Sequence, residues 1–261
     1  MSEIPLHDDS AREPYSGKVL LERALAMVAF APIVQLGMED NSLIADFQQR
    51  IRRDYPLFDA AVDNMINVRI EGDGAVKAAP ETRRKWLFRD IEKNWTITLT
   101  QEGLSLLGNA AGYTSWSNFV ERLGGLVRAL QATAQPSHCV SLGVRYLNTG
   151  PTGGDDDPRL DCAKELTSIT GNAHLNLSDL FWIFDAREGN LLLRSGVMPP
   201  HNSYDPNMFE PRDAASWYLD IDVINRDPME FERQAIEDKL RQQASRAHAV
   251  FYWAMPGRED R

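Results

Sequence analysis

The sequence predicts an α+β protein of antiparallel sheets packed with helices, built as two similar βαββαβ-like halves. Three observations carry that class. Trp95, Ile97 and Leu99 alternate with Thr96, Thr98 and Thr100, the period of a half-buried strand. Trp116, Phe119, Val120, Leu123, Leu126, Val127 and Leu130 mark one stripe of a helix. The strands come in runs joined by short turns, whereas a doubly wound parallel sheet alternates each strand with a helix.

Along the chain, residues 1–17 read as a flexible polar arm. Leu21 to Leu36 reads as a long buried strand that Pro32 bends or places at an edge. Asn41 and Ser42 offer an N-cap to a helix carrying Leu43, Ile44, Phe47, Ile51 and Tyr55, closed by Pro56. A strand near Met65 to Glu71 ends at the turn Gly72-Asp73-Gly74. Trp86 to Ile91 forms a hairpin with the Trp95 strand through Glu92-Lys93-Asn94, and Leu104, Leu106 and Leu107 continue the sheet after Gly103. Ser115 caps the helix that follows, and Cys139 to Asn148 returns as a strand.

Gly150 to Pro158 is the expected boundary between a first half, residues 18–149, and a second, residues 150–261, packed as one compact unit. A short helix is expected from Leu160 to Ile169. Leu175 to Asp185 and Leu191 to Val197 flank the hairpin signal Glu188-Gly189-Asn190, and Pro199 to Pro211 is irregular. A strand from Trp217 to Ile224 follows. Asp227, Pro228 and Glu230 supply agreeing start signals for a last helix that buries Met229, Ile236, Leu240, Ala244 and Ala247 and runs to about Phe251. The first half thus reads β-α-β-β-β-α-β and the second α-β-β-β-α, without a strict internal repeat.

Charge and cysteine usage narrow the function classes. Twenty-eight Lys and Arg against 38 Asp and Glu leave a net charge of −10, a field that repels phosphate backbones and anionic membranes. General nucleic-acid binding is therefore disfavoured. The basic clusters Arg50, Arg52, Arg53 and Arg83, Arg84, Lys85 read as solvated surface. Cys139 and Cys162 are the only cysteines, with no CxxC, so a reducing, cytoplasmic setting is expected. The amino end has neither a basic nor an apolar leader pattern, and Ala24 to Val34 is too short for a membrane span.

A resemblance is carried by Leu25-x-x-Val28-x-Phe30-x-Pro32, Trp86-Leu87-Phe88 and Trp95-x-Ile97-x-Leu99-Thr100-x-x-Gly103-Leu104. Tyr113-Thr114-Ser115-Trp116-x-x-Phe119, Leu142-Gly143-Val144-Arg145-Tyr146-Leu147-Asn148 and Leu219-Asp220-Ile221-Asp222 extend it. Over roughly residues 20–250 the chain resembles a sporadically distributed bacterial protein family of unknown function. The resemblance implies a stand-alone cytosolic protein from an accessory locus, of the defence or toxin–antitoxin kind, and no catalytic motif to carry over. The chain departs from the family pattern at Ala29, where a basic residue is common in the first strand.

The chemistry is sparse. Asp220 and Asp222, at i and i+2 on a strand, share one face and suit either a divalent cation or a solvated or arginine-neutralised surface. Arg145 alternates away from Val144 and Tyr146 and is expected on a strand beside the aspartates, as a salt link or an anion clamp; Asn148 closes that strand. Arg145, Asn148, Asp220 and Asp222 are thus the candidate ligand-binding residues. Trp86, Trp95 and Trp116 lie on the apolar phase of their elements and read as core. Leu180 to Phe184 is apolar on both faces, leaving one face for a second copy of the chain.

Five scattered histidines make no zinc motif, Gly153-Gly154 leads into aspartates and not into a P-loop, and no nucleophile motif or cofactor signature is present. Asp155, Asp156 and Asp157 read as a solvated acidic loop. The expected function is a non-catalytic cytosolic binding or regulatory protein with a protein partner or self-association. The alternative is a metal-dependent hydrolase or phosphodiesterase using Asp220 and Asp222, with Arg145 steering an anion.

Overall fold

A computed structural model of the chain describes residues 4–7, 20–38, 41–70, 76–152 and 175–255, with the backbone alone for 63–70 and 76–82. The described residues form an α+β fold, an antiparallel sheet of ten strands with three helices. The strands hydrogen-bond in the order β2-β3-β4-β5-β1-β6-β9-β8-β7, with β10 on β6, their ranges as given below. The chain divides into two compact units. Unit 1 gathers Met1–Ala26, Ser141–Asp227 and Gln234–Arg261, and unit 2 Met27–Val140 and Pro228–Arg233.

In unit 2, β1 (Leu21–Phe30) contributes its last residues, and its Phe30 N–H donates to Glu102 O at 2.9 Å. The long strand expected to reach Leu36 stops at Phe30. A single 3-10 turn, Val34–Gly37, follows Pro32, whose missing N–H cannot continue a ladder. Helix α1 (Ser42–Ile51) buries Ile44, Phe47 and Ile51. It ends before Tyr55, which is nevertheless buried.

The strands β2 (Leu57–Ile70) and β3 (Val76–Arg89) are each much longer than expected and pair along their whole length. Polar residues such as Asp63, Arg83 and Arg84 hide their alternation in the sequence. The turn at Gly72–Gly74 lies outside the described residues. The hairpin into β4 (Trp95–Thr100) is closed by Asp90, whose carboxylate accepts from the Trp95 N–H at 2.9 Å. Strand β5 (Gly103–Asn109) completes the meander.

Helix α2 (Trp116–Thr133) begins where the Ser115 hydroxyl accepts from the Asn118 N–H at 3.2 Å, the cap expected from the sequence. Its stripe meets the inward phase of β4, with Trp95 and Phe119 rings 5.9 Å apart. Trp86 and Trp95 are buried core residues, and Trp116, half-buried, stacks on Phe119. Each such large apolar side chain removed from water contributes roughly 1.5–3 kcal/mol before chain entropy is counted.

Unit 1 is built on β6 (His138–Pro151), β7 (Ser178–Ala186), β8 (Gly189–Met198) and β9 (Ser216–Asn225). The β7–β8 hairpin expected from the sequence is present. Gly189 opens β8 at a φ of 134°, and a Cβ there would stand 2.2 Å from the Ile224 carbonyl oxygen, so no other residue fits. Gly150 and Pro151 finish β6, while residues 153–158 of the expected boundary segment, the Leu160–Ile169 helix and Cys162 lie outside the described residues.

The last helix, α3 (Arg233–Ala254), starts five residues later than Pro228. Asp227 is held in a local turn, its N–H donating to Asn225 Oδ1 and its carboxylate accepting from Asn225 Nδ2, both at 3.0 Å. Met229 and Glu230 instead form the short strand β10 opposite Cys139 and His138. Ile236, Leu240, Ala244 and Ala247 are buried as expected. Gln243 Nε2 donates to Leu142 O at 2.9 Å, and His248 packs 5.2 Å from Tyr146, which places α3 on the Tyr146 side of β6.

Arg246 of α3 ties in a distant piece of chain. Its guanidinium donates to both Glu188 oxygens, at 2.7 and 3.1 Å, and to the Pro5 carbonyl at 2.6 Å. Arg246, Glu188 and Pro5 are all buried.

Candidate functional site

Ladder register decides which side chains share a face, because partners directly opposite in a pleated sheet point the same way. Arg145 on β6 stands opposite Asp222 on β9, which stands opposite Leu192 on β8, which stands opposite Ile183 on β7. The next row reads Leu147, Asp220, Arg194 and Phe181, and the next Thr149, Tyr218, Gly196 and Asp179. All twelve residues lie on the face away from Tyr146, and thus away from α3.

Three of the four candidate residues meet on this face. Arg145 Nε donates to both oxygens of Asp220, at 2.9 and 3.1 Å, and Nη2 adds a bond of 2.6 Å to Oδ2. Arg145 Nη1 reaches Asp205 at 2.9 Å, and the Tyr204 hydroxyl donates to Asp220 at 2.7 Å. Asp220 is 3% exposed, so this charge is acceptable inside the protein only because four hydrogen bonds hold it. The Arg145 link to the aspartate strand is therefore structural as well as adjacent. Asn148 projects to the opposite face, buried, with its Nδ2 3.4 Å from Leu219 O.

A second ion pair lies on the same face. Arg194 donates to both Asp179 oxygens, at 2.7 and 2.5 Å, while its guanidinium sits 4.2 Å above the Tyr204 ring. The Tyr218 hydroxyl donates to Asp179 at 2.7 Å, and Tyr204 and Tyr218 rings are 4.6 Å apart. The Arg194 hydrogen bond holds the Asp179 carboxyl below its usual range, against the effect of burial and with Tyr218 adding to it. Burial raises the Tyr204 and Tyr218 hydroxyls, and Asp220 and Asp179 respectively push them further, so both phenols stay protonated donors. Burial opposes the Arg145 charge, but the Asp220 hydrogen bonds outweigh it and hold the guanidinium firmly protonated.

Asp222 is the exception. It is half-buried between Arg145 and Leu192, yet the described residues offer it no hydrogen bond and no ion pair. Burial pushes its carboxyl up to about 7; Arg145 opposes that rise, Asp220 adds to it, and exposed Arg226 opposes it. Beyond it the face is apolar and open, with Ile183 60% and Phe181 53% exposed on β7, which has a strand neighbour on one side only among the described residues.

Tyr204, Asp205, Arg194, Tyr218 and Asp179 were not legible as site residues. Arg194 follows the unbroken run Leu191-Leu192-Leu193 and Tyr218 sits within Trp217-Tyr218-Leu219, while Tyr204 and Asp205 lie in the aperiodic stretch after β8, where no period assigns a side chain to a face. Among the described residues no group of three or more His, Cys, Asp or Glu is placed to hold a metal ion. Among the described residues no helix is long and apolar enough to cross a membrane. No protein-family model matches the chain, and no curated protein matches it.

Proposed function

We propose that the chain is a non-catalytic cytosolic binding or regulatory protein, a partner subunit in an accessory bacterial locus of the defence or toxin–antitoxin kind, and that it binds through the open face of unit 1. The observation that carries this reading is the exposure of Phe181 and Ile183, more than half open to water, on the last strand of the order. A nine-residue edge strand with large apolar side chains outward and no lysine or proline is a surface that proteins ordinarily cover. Beside it on the same face, Arg145 with Asp220 and Arg194 with Asp179 form satisfied ion pairs, as a stiff platform requires.

The likeness of the two halves belongs to the same reading. In each unit an antiparallel meander, β2 to β5 or β7 to β9, precedes a long helix along the chain, α2 directly and α3 after β10.

Purification of the tagged chain from cells that naturally make it tests the proposal. A stoichiometric protein partner is expected, lost from the Phe181→Ser, Ile183→Ser double variant with the melting temperature unchanged. Recovery of the chain alone, under conditions that preserve complexes, overturns it.

A further inference from the structure

We infer that Asp222 is the receptor for a lysine or arginine side chain of the protein partner, with Leu192, Ile183 and Phe181 forming the apolar seat beside it. The inference rests on the binding reading above and deepens it by stating what the partner must present.

The carboxylates of the open face are unequally partnered. Asp179, Asp205 and Asp220 each have an arginine hydrogen-bonded to the carboxylate. Asp222 has none, although Arg145 is its register partner, because that guanidinium already serves Asp220 and Asp205. Arg226 is close enough to act on Asp222 through space but makes no ion pair with it. A half-buried carboxylate in that state lacks the donors it would have in water, and a cationic hydrogen-bond donor from outside supplies them.

The row that contains Asp222 specifies the rest of the ligand. From Asp222 the face runs sideways to Leu192 and then to Ile183, about 10 Å away at ordinary strand spacing. A long aliphatic stem carrying a charged head lies naturally along such a row, head on the carboxylate and stem on the leucine. The exposed Ile183 and Phe181 then take an apolar side chain adjacent to the basic one. A small inorganic cation would use Asp222 but leave this apolar seat in water.

Charge complementarity also selects against a second copy of the chain as occupant. A two-fold contact uses the same patch from both molecules. Centred here, it would set one Asp222 carboxyl against another, and neither copy would supply the cationic donor that the site lacks. A partner presenting the opposite sign is the favourable case.

A displayed random-peptide library selected on the full-length chain tests the inference, with enriched peptides synthesised and measured against the wild type, Asp222→Asn and Ile183→Ser. The expected peptides carry a lysine or arginine next to a large apolar residue. They bind Asp222→Asn about tenfold or more weakly, the loss of one charged hydrogen bond. Circular dichroism and thermal melts establish that each variant is folded. Enriched peptides without a basic residue, or equal affinity for Asp222→Asn, overturn the inference while leaving a binding surface in place. Absence of any enriched peptide, together with no co-purifying partner, removes the binding reading as well.

Discussion

The Tyr218 hydroxyl on β9 reaches Asp179 on β7, two strands away, by passing over Gly196 on β8 at a hydrogen-bond distance of 2.7 Å. Gly196 makes the crossing possible. A Cβ there would stand 2.0 Å from the Ser178 carbonyl oxygen and 3.0 Å from the Tyr218 hydroxyl. The residue type at one position thus permits a bond between two others, and through Asp179 it orients Arg194.

Gly196→Ala is accordingly expected to destabilise the protein by about 1–3 kcal/mol, the range for forcing extra atoms into a packed site. Gly125 on α2 supplies the contrast, since a Cβ there meets nothing within 4 Å. Gly125→Ala is expected to stabilise by about 0.5–1 kcal/mol through helix propensity. Urea unfolding of the two variants, read by tryptophan fluorescence, checks both signs at once.

Removing one partner of the Arg145–Asp220 pair strands a buried charge. Arg145→Met is expected to cost about 3–5 kcal/mol, whereas Arg145→Met with Asp220→Leu recovers a large part of that loss. A double-mutant cycle by chemical denaturation measures the coupling. Simple additivity would show that the two charges do not depend on each other.

Stability should carry a pH signature from Asp222. Its folded pKa of about 7 lies above the ordinary aspartate value of about 3.9, so the folded state holds a proton that the unfolded state releases. This contribution is full below about pH 4 and is lost as pH rises through about 7. His248 works in the opposite sense, because burial lowers its pKa and favours the folded state as pH rises. The difference between wild type and Asp222→Asn separates the two. The variant is expected to gain roughly 1–3 kcal/mol relative to wild type between pH 5 and pH 8, allowing for the partial exposure of the carboxyl. Urea melts at both pH values measure it, and a pH-independent difference would refute the assignment.

Divalent cations bear on the hydrolase alternative. Because Asp220 is already engaged by Arg145 and Tyr204, Mg²⁺, Mn²⁺ and Ca²⁺ are expected to leave the melting temperature within about 1 °C of the metal-free value, far from the stabilisation of about 2.7 kcal/mol that a ligand at a hundred times its Kd produces. A cation-dependent rise of several degrees that vanishes in Asp222→Ala would restore the hydrolase reading.

What the sequence revealed and what it hid divide along a physical line. Ser115, the β4 alternation and the α3 stripe from Ile236 to Ala247 are local signals, and each appears where its spacing puts it. Residues 227–230 show the limit: a good helix start in isolation, yet Met229 and Glu230 pair with Cys139 and His138, about ninety residues earlier. Long-range pairing overrides local capping there. The site divides similarly. Arg145, Asp220 and Asp222 lie on strands whose alternation reveals their faces. Tyr204 and Asp205 come from a segment with no period, and only the folded chain brings them to Arg145.

The Arg246 clasp makes the amino-terminal residues part of unit 1's interior electrostatics. Any shortening that deletes Pro5 withdraws an acceptor from a cation that water cannot easily reach, so expression variants trimmed at that end would be handicapped by chemistry far from their new terminus.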